Sequence, residues 1–208
     1  MKMIDYSEND LRIWENLFET LPEQEWLTAP PSKAMEACLD FFLKKGVESV
    51  WDVGCGPGRW SMFLARSGIR VNGSDFSPKA IRIARGWAQD EDLPAEFSCC
   101  ALTAAPFMGE KFQGVVAALI LDNVSREEMR TGIRLICESL VDEGYVFALF
   151  NPFMTEEMKS AQIECENPTA GITQISYTDG EIISAFAGFE VLRKESFEAG
   201  MRGFFLKR

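Results

Sequence analysis

Histidine is absent from all 208 residues. That excludes a His-containing catalytic triad, a His-ligated zinc and an imidazole general base. Acid–base chemistry is left to carboxylates, Tyr, Lys, Cys or bound water. Positive charge is also scarce, with 21 Lys and Arg against 32 Asp and Glu and a net charge of −11. A duplex-binding surface needs the opposite balance to release phosphate counterions, so nucleic acid is not an expected partner. No long apolar run exists either. The longest, Val115 to Leu121, is far too short to cross a bilayer, and no membrane association is expected. The start, MKMIDYSEND, turns acidic at once and lacks an apolar signal core, which points to the cytoplasm.

The six cysteines, at 38, 55, 99, 100, 137 and 165, include no CxxC pair and form no small-secreted-domain framework. Reduced thiols are expected, with vicinal Cys99 and Cys100 on alternating faces of a buried strand. The 47% hydrophobic content suffices for one packed core.

Helical spacing of Leu11, Trp14, Leu17, Phe18 and Leu21 predicts a helix over 7–21, started by Ser7 and Asp10. After the prolines around Trp26, a second helix is predicted at 32–45, closing at Gly46. Strands and helices then alternate. Strands are predicted at 48–53, 70–75, 95–100, 112–121 and 144–150. Helices are predicted at 59–66, at 78–88 behind Ser77-Pro78, and at 125–140 behind the Ser125/Glu128 capping box. A second capping box, Thr178/Glu181, opens a helix ending near Gly188. Two closing strands, 189–196 and 203–206, flank an Ala199-Gly200 turn. The pattern predicts one α/β domain over 1–208, with a doubly wound, mostly parallel seven-stranded sheet. Residues 1–46 form an N-terminal helical extension or lid, and 47–208 the catalytic core.

The first strand runs into Asp52-Val53-Gly54-Cys55-Gly56-Pro57-Gly58-Arg59. Glycines between a buried strand and a helix let a ligand approach the backbone. The dinucleotide fingerprint GxGxxG needs glycine where Arg59 stands, which disfavours a nicotinamide-dependent oxidoreductase. The observed D-x-G-x-G-x-G resembles motif I of the class I S-adenosylmethionine (SAM)-dependent methyltransferases. The resemblance extends over roughly 48–150 and implies a Rossmann-like fold that binds SAM and releases S-adenosylhomocysteine (SAH). It assigns Asp52, Gly54, Gly56 and Gly58 to the methionine portion. The second strand ends GSDFSPKAI, and the same resemblance assigns Asp75 to the ribose hydroxyls and Phe76 to adenine. Many relatives carry an Asp five residues before a Pro-Phe pair. Here Pro106-Phe107 is preceded by Ala101, leaving the Leu102 N–H to meet the adenine ring.

Methyl transfer to an electron-rich nucleophile needs positioning above all. A hydroxyl acceptor would need a base, and Asp122, at the carboxyl end of the fourth strand, is the candidate. Asp122-Asn123 resembles the magnesium-binding pair of catechol-type O-methyltransferases, but follows the fourth strand rather than the fifth. Metal is therefore not expected. Asn151-Pro152-Phe153 is likewise misplaced for the motif of DNA amino-methyltransferases. Trp14, Trp26, Phe153 and Tyr177 are candidates to enclose a small-molecule acceptor, with ordinary core packing the competing reading for Trp14 and Trp26. The sequence thus reads as a small-molecule methyltransferase. The alternatives are a catalytically inactive SAM-binding sensor or partner subunit, and an NAD-dependent oxidoreductase. Acceptor and oligomeric state are left open.

Overall fold

The computed structural model describes residues 8–20, 29–104, 107, 109–155 and 173–208. Trp26, Pro106, Cys165 and Ser7 lie outside them. Two helices come first, α1 (Glu8–Thr20) and α2 (Lys33–Lys44), followed by β1 (Ser49–Val53) and α3 (Arg59–Ala65). The chain continues through β2 (Arg70–Asp75), α4 (Pro78–Asp90), β3 (Ala95–Cys99) and β4 (Phe112–Ala118). It closes with α5 (Arg126–Ser139), β5 (Leu140–Phe150), α6 (Asp179–Ala185), β6 (Glu190–Ser196) and β7 (Arg202–Lys207).

Helix starts fall where side chains can satisfy the free amide donors. Ser32, Ser77, Ser125 and Thr178 each accept a hydrogen bond from the first turn, and the last two close full capping boxes with Glu128 and Glu181. The seven strands form one sheet ordered β3-β2-β1-β4-β5-β7-β6. Strands β1 to β5 pair in parallel, while β7 runs antiparallel between β5 and β6. A short 3-10 turn, Glu198–Gly200, returns the chain from β6 to β7.

Successive strand residues point to opposite faces, which divides the core. Trp51, Val115, Val146 and Phe204 pack in one cluster with the α5 residues Met129, Ile133 and Ile136. Their neighbours Val50, Val116, Phe147 and Phe205 pack in the other with Phe41 and Phe42 of α2. Strands buried on both faces read as continuous apolar runs, as β4 and β5 do.

Three expectations change. Strand β4 ends at Ala118 rather than Leu121, because Leu119 turns to φ +57° and leaves the ladder. Strand β5 begins at Leu140 rather than Gly144, with a register irregularity opposite Phe112 and Gly114. Cys99 is exposed and Cys100 half-buried, because β3 is an edge strand rather than an inner one. The five described cysteines are all free.

Strand order reverses between β1 and β4, so the loops leaving their carboxyl ends diverge and open a crevice.

Candidate functional site

Strand β2 anchors the glycine loop at that crevice. The Gly54 and Cys55 amides donate to the Ser74 carbonyl at 2.8 and 3.0 Å, and the Gly56 amide donates to Asp75 Oδ2 at 3.0 Å. The Ser77 amide donates to Asp75 Oδ1 at 2.9 Å. Trp51 Nε1 donates to Ser74 Oγ at 2.9 Å, tying β1 to β2 below the loop. Glycine is required at position 54 on two counts. Its φ is +67°, and a Cβ there would stand 2.6 Å from the Ile120 side chain.

Helix α1 roofs the crevice. Asp10, Trp14 and Phe18 recur at i, i+4 and i+8, so one helix face supplies all three to the lining. Trp14 and Phe18 stack with centroids 5.8 Å apart. Glu19 pairs with Lys79 of α4 at 2.8 Å, and Thr173 Oγ1 donates to Asp10 Oδ2 at 3.4 Å, securing the two ends of the helix. Gly54–Pro57 form one wall and Ser74, Asp75, Phe76, Cys100 and Leu102 another. Trp60 with Ala118, Leu119, Ile120, Asn123 and Val124 completes it. Leu119 lines the cavity in a left-handed conformation costing on the order of 1 kcal/mol. Its amide is held by the Leu149 carbonyl and its own carbonyl by the Asn123 side chain.

Among the described lining residues, carboxylates face this cavity and cations do not. Asp10 and Asp75 are in the described lining, and no Lys or Arg is. Burial raises the Asp75 carboxyl to about 6, against the pull of its three backbone donors. Burial also raises the Cys55 thiol well above its ordinary value and that of Cys100 to about 11, so both are neutral and poor nucleophiles at pH 7.

Of the residues singled out in the sequence, Gly54, Gly56, Asp75, Phe76, Leu102 and Trp14 meet around one cavity. Others do not. Asp52 is buried outside the lining, accepting from Ser61 Oγ at 2.6 Å. Burial, with the Asp75 charge adding, raises its carboxyl to about 7. Gly58 caps α3 against Ala84 and Met62 instead of lining the cavity. Asp122 is 2% exposed and outside the described lining, and its Oδ2 accepts the Asn151 amide at 2.7 Å. That hydrogen bond ties the ends of β4 and β5 together. Phe153 is 46% exposed and outside the lining. Tyr177 is buried in the α5/α6 core with the Arg126 guanidinium 4.7 Å from its ring centroid. Aromaticity near the strand ends does not reveal side-chain direction, so the sequence could not place the last two relative to the cavity.

Sequence reasoning missed Asp10, Phe18, Trp60 and the lining residues Leu119, Ile120 and Asn123 of the turn after β4. For Asp10 and Phe18 the signal was present. Their spacing with Trp14 marks a single helix face, although Asp10 also reads as a capping residue.

Residues 50–144 match the family model described as a methyltransferase domain. The ubiquinone biosynthesis O-methyltransferase of Methylobacterium sp. (strain 4-46) is 34% identical over 97 residues, covering 47% of this chain and 38% of that protein. The chain thus spans well under half the length of this curated relative. Among solved structures, magnesium protoporphyrin IX methyltransferase from Synechocystis PCC 6803 with bound SAH superposes with a TM-score of 0.69 at 20% identity, covering 100% of this chain and 90% of that one. A SAM-dependent methyltransferase from Clostridium acetobutylicum ATCC 824 gives 0.72 at 11% identity, with coverage of 93% and 98%. At such identities the likeness is one of fold.

Proposed function

We propose that this chain, whose residues 50–144 match the methyltransferase-domain model, is a class I SAM-dependent methyltransferase that binds SAM and methylates a small-molecule acceptor. The carrying observation is the Asp75 carboxylate, fixed at the lip of β2 by the Gly56 and Ser77 amides within a cavity lined by acids and no described cation. Each carboxylate oxygen can accept more than one hydrogen bond, so Asp75 retains capacity for a ribose diol. The same lining suits a positively charged sulfonium and repels a pyrophosphate, which disfavours NAD.

SAM, when bound, supplies an already activated methyl group. In this reading Gly54 and Gly56 present backbone to its methionine portion. Gly58 shapes the turn into α3, and Asp52 holds that turn through Ser61. Asp75 takes the ribose, while Phe76 and Leu102 flank adenine with the Leu102 amide. Trp14 and Phe18 cover the acceptor and exclude water. The chain then works as one domain over 1–208, with 1–46 as the lid. Its acceptor is a small molecule, and its compartment is the cytoplasm, in keeping with free thiols. Among the described residues no helix is long and apolar enough to cross a membrane.

Titration calorimetry tests the reading. SAH should bind with micromolar affinity and NAD should not; the reverse preference would overturn the assignment. Asp75→Ala should weaken SAH by about tenfold or more, the value of one charge-assisted hydrogen bond or two. Unchanged affinity would remove Asp75 from the ribose role.

A further inference from the structure

We infer that Asp10 is the base of this site, accepting the proton of an uncharged aryl hydroxyl that lies flat beneath Trp14. The inference rests on the methyl-transfer reading above. Two carboxylates line the described cavity. Asp75 sits at the β2 lip, held by backbone amides of the glycine loop and the α4 start, where the reading above gives it the ribose. Asp122, the base expected from sequence, is buried outside the described lining, its Oδ2 accepting the Asn151 amide. Asp10 is the remaining one. It stands two helical turns from Phe18, and Phe18 lies over Gly56, 3.7 Å from where a Cβ on that glycine would be. That places Asp10 at the far end of the roof from the glycine loop, on the side left for an acceptor.

The lining also restricts what the acceptor can be. Its wall is dominated by Trp14, Phe18, Trp60, Leu119 and Ile120, a slot for a flat apolar body. Two carboxylates with no described cation among them penalise a carboxylate or phosphate acceptor. A neutral phenol pays no such penalty and donates its O–H to Asp10. The phenol oxygen forms the new C–O bond to the methyl carbon as the C–S bond breaks. Sulfur keeps that electron pair as a thioether, and the phenol proton passes to the Asp10 carboxylate. Thr173 Oγ1, already donating to Asp10 Oδ2, orients the carboxylate.

The test compares the full chain with Asp10→Asn, using 4-methylphenol, 4-nitrophenol, benzylamine and benzoate as acceptors. SAH calorimetry is run on both proteins. The wild type should methylate 4-methylphenol in preference to benzylamine and benzoate. Asp10→Asn should lose about a hundredfold in kcat/KM on 4-methylphenol, the value of a positioned general base. It should lose less than about threefold on 4-nitrophenol assayed at about pH 8.5, where that phenol is largely ionised and has no proton to give. Its SAH affinity should stay within about twofold, and calorimetric binding of 4-methylphenol to the SAH-loaded protein should weaken. Equal losses on both phenols, a parallel loss of SAH affinity, or preference for benzylamine or benzoate would overturn the inference. So would absence of methylation of either phenol by a wild type that binds SAH. Failure of the wild type to bind SAH would instead overturn the methyl-transfer reading itself.

Discussion

Asp52 and Asp75 sit side by side in sequence logic yet have different roles, and burial explains both. Asp75 opens onto the cavity, whereas Asp52 is sealed beneath the glycine loop with Ser61 as its side-chain donor. Burial lifts Asp52 from 3.8 to about 7 and Asp75 from 3.8 to about 6. A carboxyl raised in the folded state keeps its proton after the unfolded chain has released its own. Stability therefore falls as pH rises from about 4 through 7 and levels off above. For Asp52 the cost is on the order of a few kcal/mol. Urea unfolding should give a lower midpoint at pH 8 than at pH 5, and Asp52→Asn should shrink that difference. An equal drop in both proteins would show that Asp52 is not its source. The acid of the D-x-G-x-G-x-G pattern thus acts on the loop's foundation. A motif names residue types and cannot say which carboxylate is sealed in.

Among the elements, the capping boxes were the most legible features. Ser125/Glu128 and Thr178/Glu181 are local, three residues apart, and form as the spacing predicts. Thr178→Ala should cost about 1 kcal/mol and lower the melting temperature by roughly 2–4 °C, with SAH affinity unchanged. Thr178 lies outside the cavity lining, so a loss of SAH binding would contradict the assignment of that cavity. Strand ends were less legible. The apolar run 115–121 continues past the end of β4, and only the left-handed Leu119 stops it. Nothing in a leucine's chemistry announces that turn. It follows from the Leu149 carbonyl on one side and the Asn123 side chain on the other.

The whole molecule carries −11 and its described cavity lining is acidic with no cation. Such a field draws a cation inward and is screened by salt. Stopped-flow association of SAM, which carries the sulfonium charge, should slow markedly between 20 mM and 500 mM salt. SAH, which lacks that charge, should slow much less. Equal salt dependence would mean the acids do not steer the ligand. This charge, the absent histidine, the βα alternation and the three-glycine loop were all determined by sequence alone, because composition, periodicity and short-range spacing need no long-range contact to be read. Tertiary structure alone decided which carboxylates face the cavity. Asp122 and Asp10 were both acids beside predicted element ends. A backbone amide 29 residues away, on Asn151, holds the first, which lies outside the described lining, while packing of α1 across α4 and Thr173 brings the second to the roof. Side-chain direction at a strand or helix end is set by partners distant in sequence, and those partners exist only once the sheet has closed.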